Sequence, residues 1–314
     1  MRQAGREAAG PASAPTATPV RVRVPATAAN LGPGYDSFGL ALALYDEVTA
    51  RRSEDGGLHI SISGVGAGTV PTDASHLVVR AAAEAFGEMG EPLPGLTLDC
   101  VNTIPHGSGQ GSSASAIVAG ILLARELARD GRRRLDDAAV LALGTRMEGH
   151  PDNIAPALMG GFTVAWTGPA GPRAVRRDVH PDVKVVAFTA DHACATEAAR
   201  AILPPVVPHA DAAAGAARAA LLVHALTCEP ALLWDATEDL LHQSYRAPAM
   251  PVSAALLERL RSSGVPAVLS GAGPSLLALG ADLPDLDRLR ELAGTAFQVR
   301  EMPVAATGAE VTRR

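Results

Sequence analysis

The sequence lacks any apolar run approaching the roughly 18 residues of a membrane span. Its longest candidate, AIVAGILLA, ends at Arg125, where charged residues resume, so no membrane partner is expected. Cysteine is scarce as well. Cys100, Cys194 and Cys228 are odd in number, widely spaced and free of C-x-x-C pairs. That argues against a disulfide framework and a structural zinc site, and for a reducing, cytoplasmic compartment. Nor is there an excess of basic charge. With 27 basic against 33 acidic side chains and a net charge of −6, the chain has no general field that would draw it to nucleic acid. The one dense basic run, Arg132 to Arg134 beside Gly131, reads as a solvated loop. No internal repeat stands out. The first 19 residues are rich in Ala, Pro, Ser and Thr without the hydrophobic block of a secretory signal, and are expected to be a disordered tail or an overlong start.

A length of 314 residues suggests two lobes of roughly 150 residues each. VRVRV (Val20 to Val24) and LHISIS (Leu58 to Ser63) alternate apolar and polar residues, the pattern of strands with one buried face, and LTLDCV from Leu96 continues the sheet. HLVVRAAAEAFGEMG from His76 carries apolar residues at helical spacing and stops at Gly90. LDDAAVLALGTRMEG predicts another helix, with Asp136 and Asp137 near the positive end of its dipole, and GGFTVAW returns as a strand. The turn-rich interval TGPAGPRAVRRD marks the expected boundary between lobes of residues 20–168 and 169–314. Beyond it the pattern predicts strand VKVVAFTA and helices over Ala210 to Cys228, Leu232 to His242 and Val252 to Ser262. VPAVLS, GAGPS and LLALG then read as strand, turn, strand.

Between these elements lies PHGSGQGSSASA (Pro105 to Ala116), with three glycines and four serines in twelve residues, leading into the alanine-rich helix SSASAIVAGILLARELARD. It matches no G-x-x-x-x-G-K-[ST] pattern and has no lysine near it. Glycines let backbone N–H groups approach a ligand, and a helix start offers free donors and a positive dipole end. The combination points to phosphate binding, with serine hydroxyls available to the metal that accompanies a nucleoside triphosphate.

Five motifs occur in order: PATAANLGPGYDSFGLAL (Pro25 to Leu42), PHGSGQGSSASA, EGHPDNIAPALMGGF (Glu148 to Phe162), TEAARAILP (Thr196 to Pro204) and SGAGPS (Ser270 to Ser275). Together they resemble the homoserine kinase family of the GHMP small-molecule kinases, over roughly residues 20 to 280. The resemblance implies an α+β fold of two lobes, the first like ribosomal protein S5 domain 2 and the second ferredoxin-like, with the active site between them. It also implies ATP-dependent phosphorylation of the side-chain hydroxyl of L-homoserine, with Mg²⁺. A homodimer is the default assembly.

Carried over residue by residue, the resemblance implies ATP contacts at Pro105, His106, Gly107, Ser108, Gly109, Gln110, Gly111, Ser112, Ser113 and Ala114. The metal falls to Ser112 and Glu148. Asn30 and Asp36 flank a turn, and Asp36 matches the position that hydrogen-bonds the substrate hydroxyl, as a base or as an orienting group. His150 and Asn153 match positions lining the amino-acid pocket. Related sugar and mevalonate kinases carry an aspartate base where Asn153 falls, which favours homoserine. Arg200 and Arg246 match arginines on the substrate carboxylate, a planar group suited to the guanidinium fork, and Thr196 matches a position near the reacting centre. The catalytic set is thus Asp36, Thr196 and Asn153. Four positions depart from the pattern. Relatives often read E-x-E-G-H where this chain has Arg146 first, and usually carry leucine at Gln110; Tyr35 replaces a common phenylalanine and Ser115 a frequent alanine. Two alternatives follow: a divergent kinase for another small hydroxylated acceptor, or a catalytically weak nucleotide-binding regulatory protein.

Overall fold

The computed structural model describes residues 18–191 and 196–313; almost all of the expected tail lies outside them, as does Cys194. In chain order the elements are β1 (Val20–Ala29), β2 (Phe38–Arg52), β3 (Leu58–Gly64), α1 (Leu77–Glu88), β4 (Leu96–Asn102), α2 (Ser112–Leu127), α3 (Gly131–Arg134), α4 (Asp137–Glu148), α5 (Pro151–Met159), β5 (Phe162–Gly168) and β6 (Gly171–Arg177). There follow β7 (Lys184–Ala190), α6 (Thr196–Ala201), α7 (His209–Thr227), α8 (Leu233–Ala236), α9 (Gln243–Arg246), α10 (Pro251–Ser262), β8 (Ala267–Leu269), β9 (Leu276–Gly280), α11 (Leu286–Ala293), β10 (Phe297–Glu301) and β11 (Glu310–Arg313).

The first sheet runs β11-β1-β2-β4-β3, with β5 and β6 branching from the start of β2. Val20, Val22 and Val24 of β1 alternate inward, as a one-faced strand requires. Past a register shift between Pro25 and Ala26 every residue of the strand is buried. The cover has changed. Helices still line one face, but the second lobe now packs on the other, where Ala26 and Ala28 share a core with Leu277 and Leu279. Fully buried Leu31, Leu40, Leu222 and Leu277 in that core contribute roughly 1.5–3 kcal/mol each, which joins the lobes firmly. AIVAGILLA forms the middle of α2, buried on nearly all sides among α1, α4, α5 and the sheet, as expected of a helix that is apolar all round.

The second sheet runs β10-β7-β9-β8, antiparallel throughout. This is the strand order of a ferredoxin-like βαββαβ unit. Val186 and Phe188 face Leu256, Leu260 and Leu289 of α10 and α11, while Val185 and Ala187 face the core between the lobes.

Three local expectations are corrected. TGPAGPRAVRRD is not a string of turns: Gly168 and Gly171 close a hairpin whose second strand, β6, pairs with β5 in the first sheet. The helix expected over Leu232 to His242 ends at Ala236. There the Thr237 hydroxyl donates to Leu233 O at 2.7 Å, and the Asp239 carboxylate accepts from the N–H groups of Leu241, His242 and Gln243, starting a new turn. The arginine run forms α3 rather than a loop, and Arg132 donates at 2.6 Å to Glu126, a buried carboxylate that needs such partners.

Candidate active site

The loop between β4 and α2 is shaped by backbone. Gly111 precedes α2 with φ +71°, and a Cβ there would stand 1.9 Å from Thr27 Oγ1. Gly109, with φ +80°, would place a Cβ 2.2 Å from Ser270 O. Only glycine fits either position. Across the lobes, Ser270 Oγ donates to Gly109 O at 2.7 Å and the Ser275 N–H to Ser108 O at 3.2 Å. Thr27 N–H donates to Gln110 O on the other side. The loop is thereby pinned at the mouth of α2, whose first-turn N–H groups have no intrahelical acceptor. Ala114 buries its methyl in the core, so only its backbone is available to a ligand.

Gln110 bridges the lobes through its side chain, donating from Nε2 to Thr189 Oγ1 at 2.7 Å. Its Oε1, together with His76 Nδ1 and Ser115 Oγ, is buried without a hydrogen-bond partner among the described residues. All three residues line one cavity of about 400 Å³ that also takes in the glycine-rich loop, Glu148, Asp36, Arg200 and Arg246. Buried polar atoms without partners are uncommon in native folds, and these three belong to residues that line one cavity. Burial pushes the His76 imidazole below its ordinary value.

Glu148 ends α4 and accepts from Ser113 Oγ at 2.7 Å. Burial raises its carboxyl above the ordinary range, with the Ser113 bond and the His150 charge pulling the other way. Arg146, two residues earlier, lines a second, shallow pocket together with Ser113 and Glu148. It is exposed and pairs with Glu88 of α1 at 2.5 Å.

At the other end of the cavity, Asn30, Leu31 and Asp36 hold left-handed backbone, with φ of 69°, 50° and 54°. Such conformations in non-glycine residues concentrate at functional sites. Asn30 fixes the turn: Oδ1 accepts from the Asp36 N–H and Nδ2 donates to Gly271 O, both at 2.9 Å. Asn153 Oδ1 accepts from Thr27 Oγ1 at 2.7 Å. His150 hydrogen-bonds through Nδ1 to Asp152, which is buried. Burial opposes the charged imidazolium, but Asp152, with the nearby Glu148 and Asp36 charges, outweighs it and holds His150 above its ordinary value.

Two arginines complete this end. Arg200 binds Asp36 in bidentate fashion, Nη1 to Oδ2 at 2.9 Å and Nη2 to Oδ1 at 2.7 Å. Arg246 is 1 % exposed, and its hydrogen bonds go to neutral acceptors: Ala199 O at 3.2 Å, Gly271 O at 3.2 Å and His242 Nδ1 at 3.1 Å. His242 in turn bonds Gly32 O through Nε2 at 2.9 Å, which assigns the neutral tautomer with the proton on Nε2; burial holds its pKa down. The Tyr35 ring lies 5.4 Å from the Arg200 guanidinium and 5.6 Å from that of Arg246. A buried cation with no hydrogen-bonded carboxylate is costly, and an anion entering beside Tyr35 would relieve it.

The GHMP kinases N terminal domain matches residues 76–161, and the GHMP kinases C terminal domain matches residues 225–296. Homoserine kinase of Streptomyces coelicolor is 53% identical over 303 residues, covering 96% of this chain and 97% of that one. The chain belongs to the homoserine kinase family. Homoserine kinase of Streptomyces avermitilis is likewise 53% identical, covering 96% of this chain and 98% of its own. The crystal structure of homoserine kinase from Cytophaga hutchinsonii superposes with a TM-score of 0.76 at 25% identity, covering 94% of this chain and 98% of that one.

Of the residues that the family resemblance singled out, all line the one cavity except Ala114 and Thr196. Thr196 begins α6, and its side chain lies outside the described residues. Sequence reasoning missed Thr27, His76 and His242, and left Asp152 without a role. Asp152 is the buried partner of His150, a pairing that H-x-D spacing at a helix start could have suggested. Nothing near His242 in the sequence announces it, because its partners Gly32 and Arg246 come from a distant turn and the following helical turn. Among the described residues no cluster of three or more His, Cys, Asp or Glu could hold a metal by itself, and no helix is long and apolar enough to cross a membrane.

Proposed function

We propose that this protein transfers the γ-phosphoryl group of MgATP to the side-chain hydroxyl of L-homoserine, giving O-phospho-L-homoserine and ADP. The observation that carries the choice of acceptor is Arg246, a buried guanidinium without a hydrogen-bonded carboxylate, facing Tyr35 opposite Arg200 and beside Asp36. A pocket with two guanidiniums and one carboxylate suits an amino acid that brings its own carboxylate and a hydroxyl. The relatives named above are homoserine kinases.

We assign the phosphates to the N–H groups of the loop from Pro105 to Ala114, and the nucleoside to the cavity wall that carries His76 and Ser115. Mg²⁺ would be held by the oxygens of Ser112 and Glu148. A desolvated carboxyl beside a phosphate cradle gains from a divalent cation, and Mg²⁺ characteristically takes few protein ligands and completes its shell with phosphate and water. Bound there, it would neutralise charge on the phosphate oxygens. Arg246 and Arg200 take the substrate carboxylate, and His150 and Asn153 shape the pocket around the acceptor. In the transfer, the acceptor oxygen bonds to Pγ while the bond from Pγ to the ADP oxygen breaks, and the hydroxyl proton is released to solvent as the new bond forms. Phosphoryl transfer depends chiefly on positioning and charge stabilisation, so Asp36 acts by aiming the hydroxyl.

ADP release with MgATP and L-homoserine, compared with L-serine, L-threonine, mevalonate and no acceptor, tests the proposal. Selective turnover of L-homoserine is expected. Preference for another acceptor, or nucleotide binding without turnover, would overturn it.

A further inference from the structure

Arg200 does something that a plain carboxylate clamp would not: it covers Asp36. Both Asp36 oxygens accept from its fork, one from each terminal nitrogen. The pair is only partly exposed, with side-chain exposures of 41% and 35%. The two arginines flanking Tyr35 are therefore in different states. Arg246 is fixed by Ala199, Gly271 and His242, all neutral partners, whereas Arg200 is held by the carboxylate that the reaction needs.

We propose that Arg200 is a latch on Asp36 that the substrate's own carboxylate releases, so that the acceptor end is switched on only by molecules carrying both a carboxylate and a hydroxyl. This rests on the kinase reading above and deepens it. A carboxylate settling against Arg246 competes for the Arg200 fork. As Arg200 turns toward it, at least one Asp36 oxygen becomes free to accept from the incoming hydroxyl. An alcohol without a carboxylate meets Asp36 with both oxygens occupied, and a neutral hydroxyl cannot displace a charge-assisted bidentate bond. Arg200 thus discriminates twice, by attracting the right substrate and by closing the site to the wrong one, the second being a repulsive element of specificity.

The test uses 3-aminopropan-1-ol, which is homoserine without its carboxylate. The latch predicts that Arg200→Ala lowers kcat/KM for L-homoserine yet raises it for the amino alcohol by about tenfold or more, since Asp36 is now uncovered. A clamp without a latch predicts an unchanged or lower rate on the amino alcohol, and that result overturns the proposal. Should the variant fold poorly, the wild-type protein gives the same information. Glycine added in trans should stimulate amino-alcohol phosphorylation saturably, and no stimulation counts against the latch. A crystal structure with L-2-aminobutyrate, which has the carboxylate but no hydroxyl, should show the Arg200–Asp36 pair opened; a persisting bidentate pair refutes it. Wild-type turnover of L-homoserine is measured alongside. Its absence removes the kinase reading itself, whereas turnover with none of the three expected effects removes only the latch.

Discussion

The glycine-rich loop takes its shape from one contiguous segment and from backbone contacts, whereas the acceptor end is gathered from the Asn30–Asp36 turn, the start of α5, Arg200 and Arg246. At the loop the constraint is an absence. Gly109 and Gly111 have no room for a Cβ, while Gln110 and Ser115 carry polar side chains that the resemblance did not anticipate. At the acceptor end the constraint is charge: Asp36, Arg200 and Arg246 each depend on a neighbour from another segment, and His150 on Asp152 two residues along the chain. A backbone-built cradle tolerates side-chain exchange and resists insertion of atoms. A charge-built pocket tolerates neither loss nor conservative exchange of its charges.

Replacing charge without volume should break the second region and spare the first. Asp36→Asn is expected to lower kcat by about 10²-fold, the cost of a misaimed reactant, while the ATP dissociation constant, measured by calorimetry, stays within about twofold. Equal turnover in both proteins would take Asp36 out of the mechanism. Next in size, Arg246→Met removes a charged hydrogen-bonding partner of the acceptor, a loss of roughly 1.5–3 kcal/mol, or about tenfold to hundredfold in the KM for L-homoserine. An unchanged KM would move the carboxylate site elsewhere. The reciprocal test adds one methyl to the loop. Gly111→Ala must displace Thr27 or abandon φ +71°, and should weaken ATP binding by about tenfold through strain of order 1–3 kcal/mol. Tight ATP binding by this variant would mean that the loop's backbone does not hold the phosphates.

A smaller effect, visible in pH rather than rate, belongs to His150. Its folded pKa lies above the ordinary value because Asp152 and neighbouring carboxylates outweigh burial. A raised pKa means that the folded state binds the proton more tightly than the unfolded chain. The resulting stabilisation is fully present below the unfolded value of about 6.5 and is lost as pH rises through the folded one. The difference in Tm between wild type and His150→Gln should therefore be largest near about pH 5 and shrink toward about pH 9. A difference constant across that range would mean that the pair is neutral in the fold.

The same contrast governs what could be read from the sequence. VRVRV, the alanine-rich helix and the glycine spacing are local patterns, and each became the expected element. The long strand β2 and the hairpin strand β6 were not read, because FGLALALYDE lacks a clean alternation and the Pro and Gly of TGPAGPR mimic loop composition. Their strand state is imposed by neighbours β1 and β5, a tertiary effect on a weak local signal. Within the site, the loop was legible from its glycines alone, but Arg200 and Arg246 look like surface arginines until family resemblance or the fold brings them beside Tyr35. The lone orphan atom of His76 is legible only in three dimensions.

Arg146 provides the smallest expected effect and the sharpest check on the proposal that Glu148 holds the metal. Relatives often carry glutamate at this position, which would seem to leave the chain short of an acidic group. In the fold, though, Arg146 meets Glu88 in solvent while Glu148 meets Ser113. Restoring the acid with Arg146→Glu should therefore exchange an exposed ion pair for a repulsion, at about 0.5–1 kcal/mol of stability by thermal melting. It should leave kcat and the Mg²⁺ dependence of turnover within about twofold. A severalfold gain in Mg²⁺ affinity would show instead that the helix end rearranges when nucleotide binds, and that the metal belongs to residue 146 as much as to Glu148.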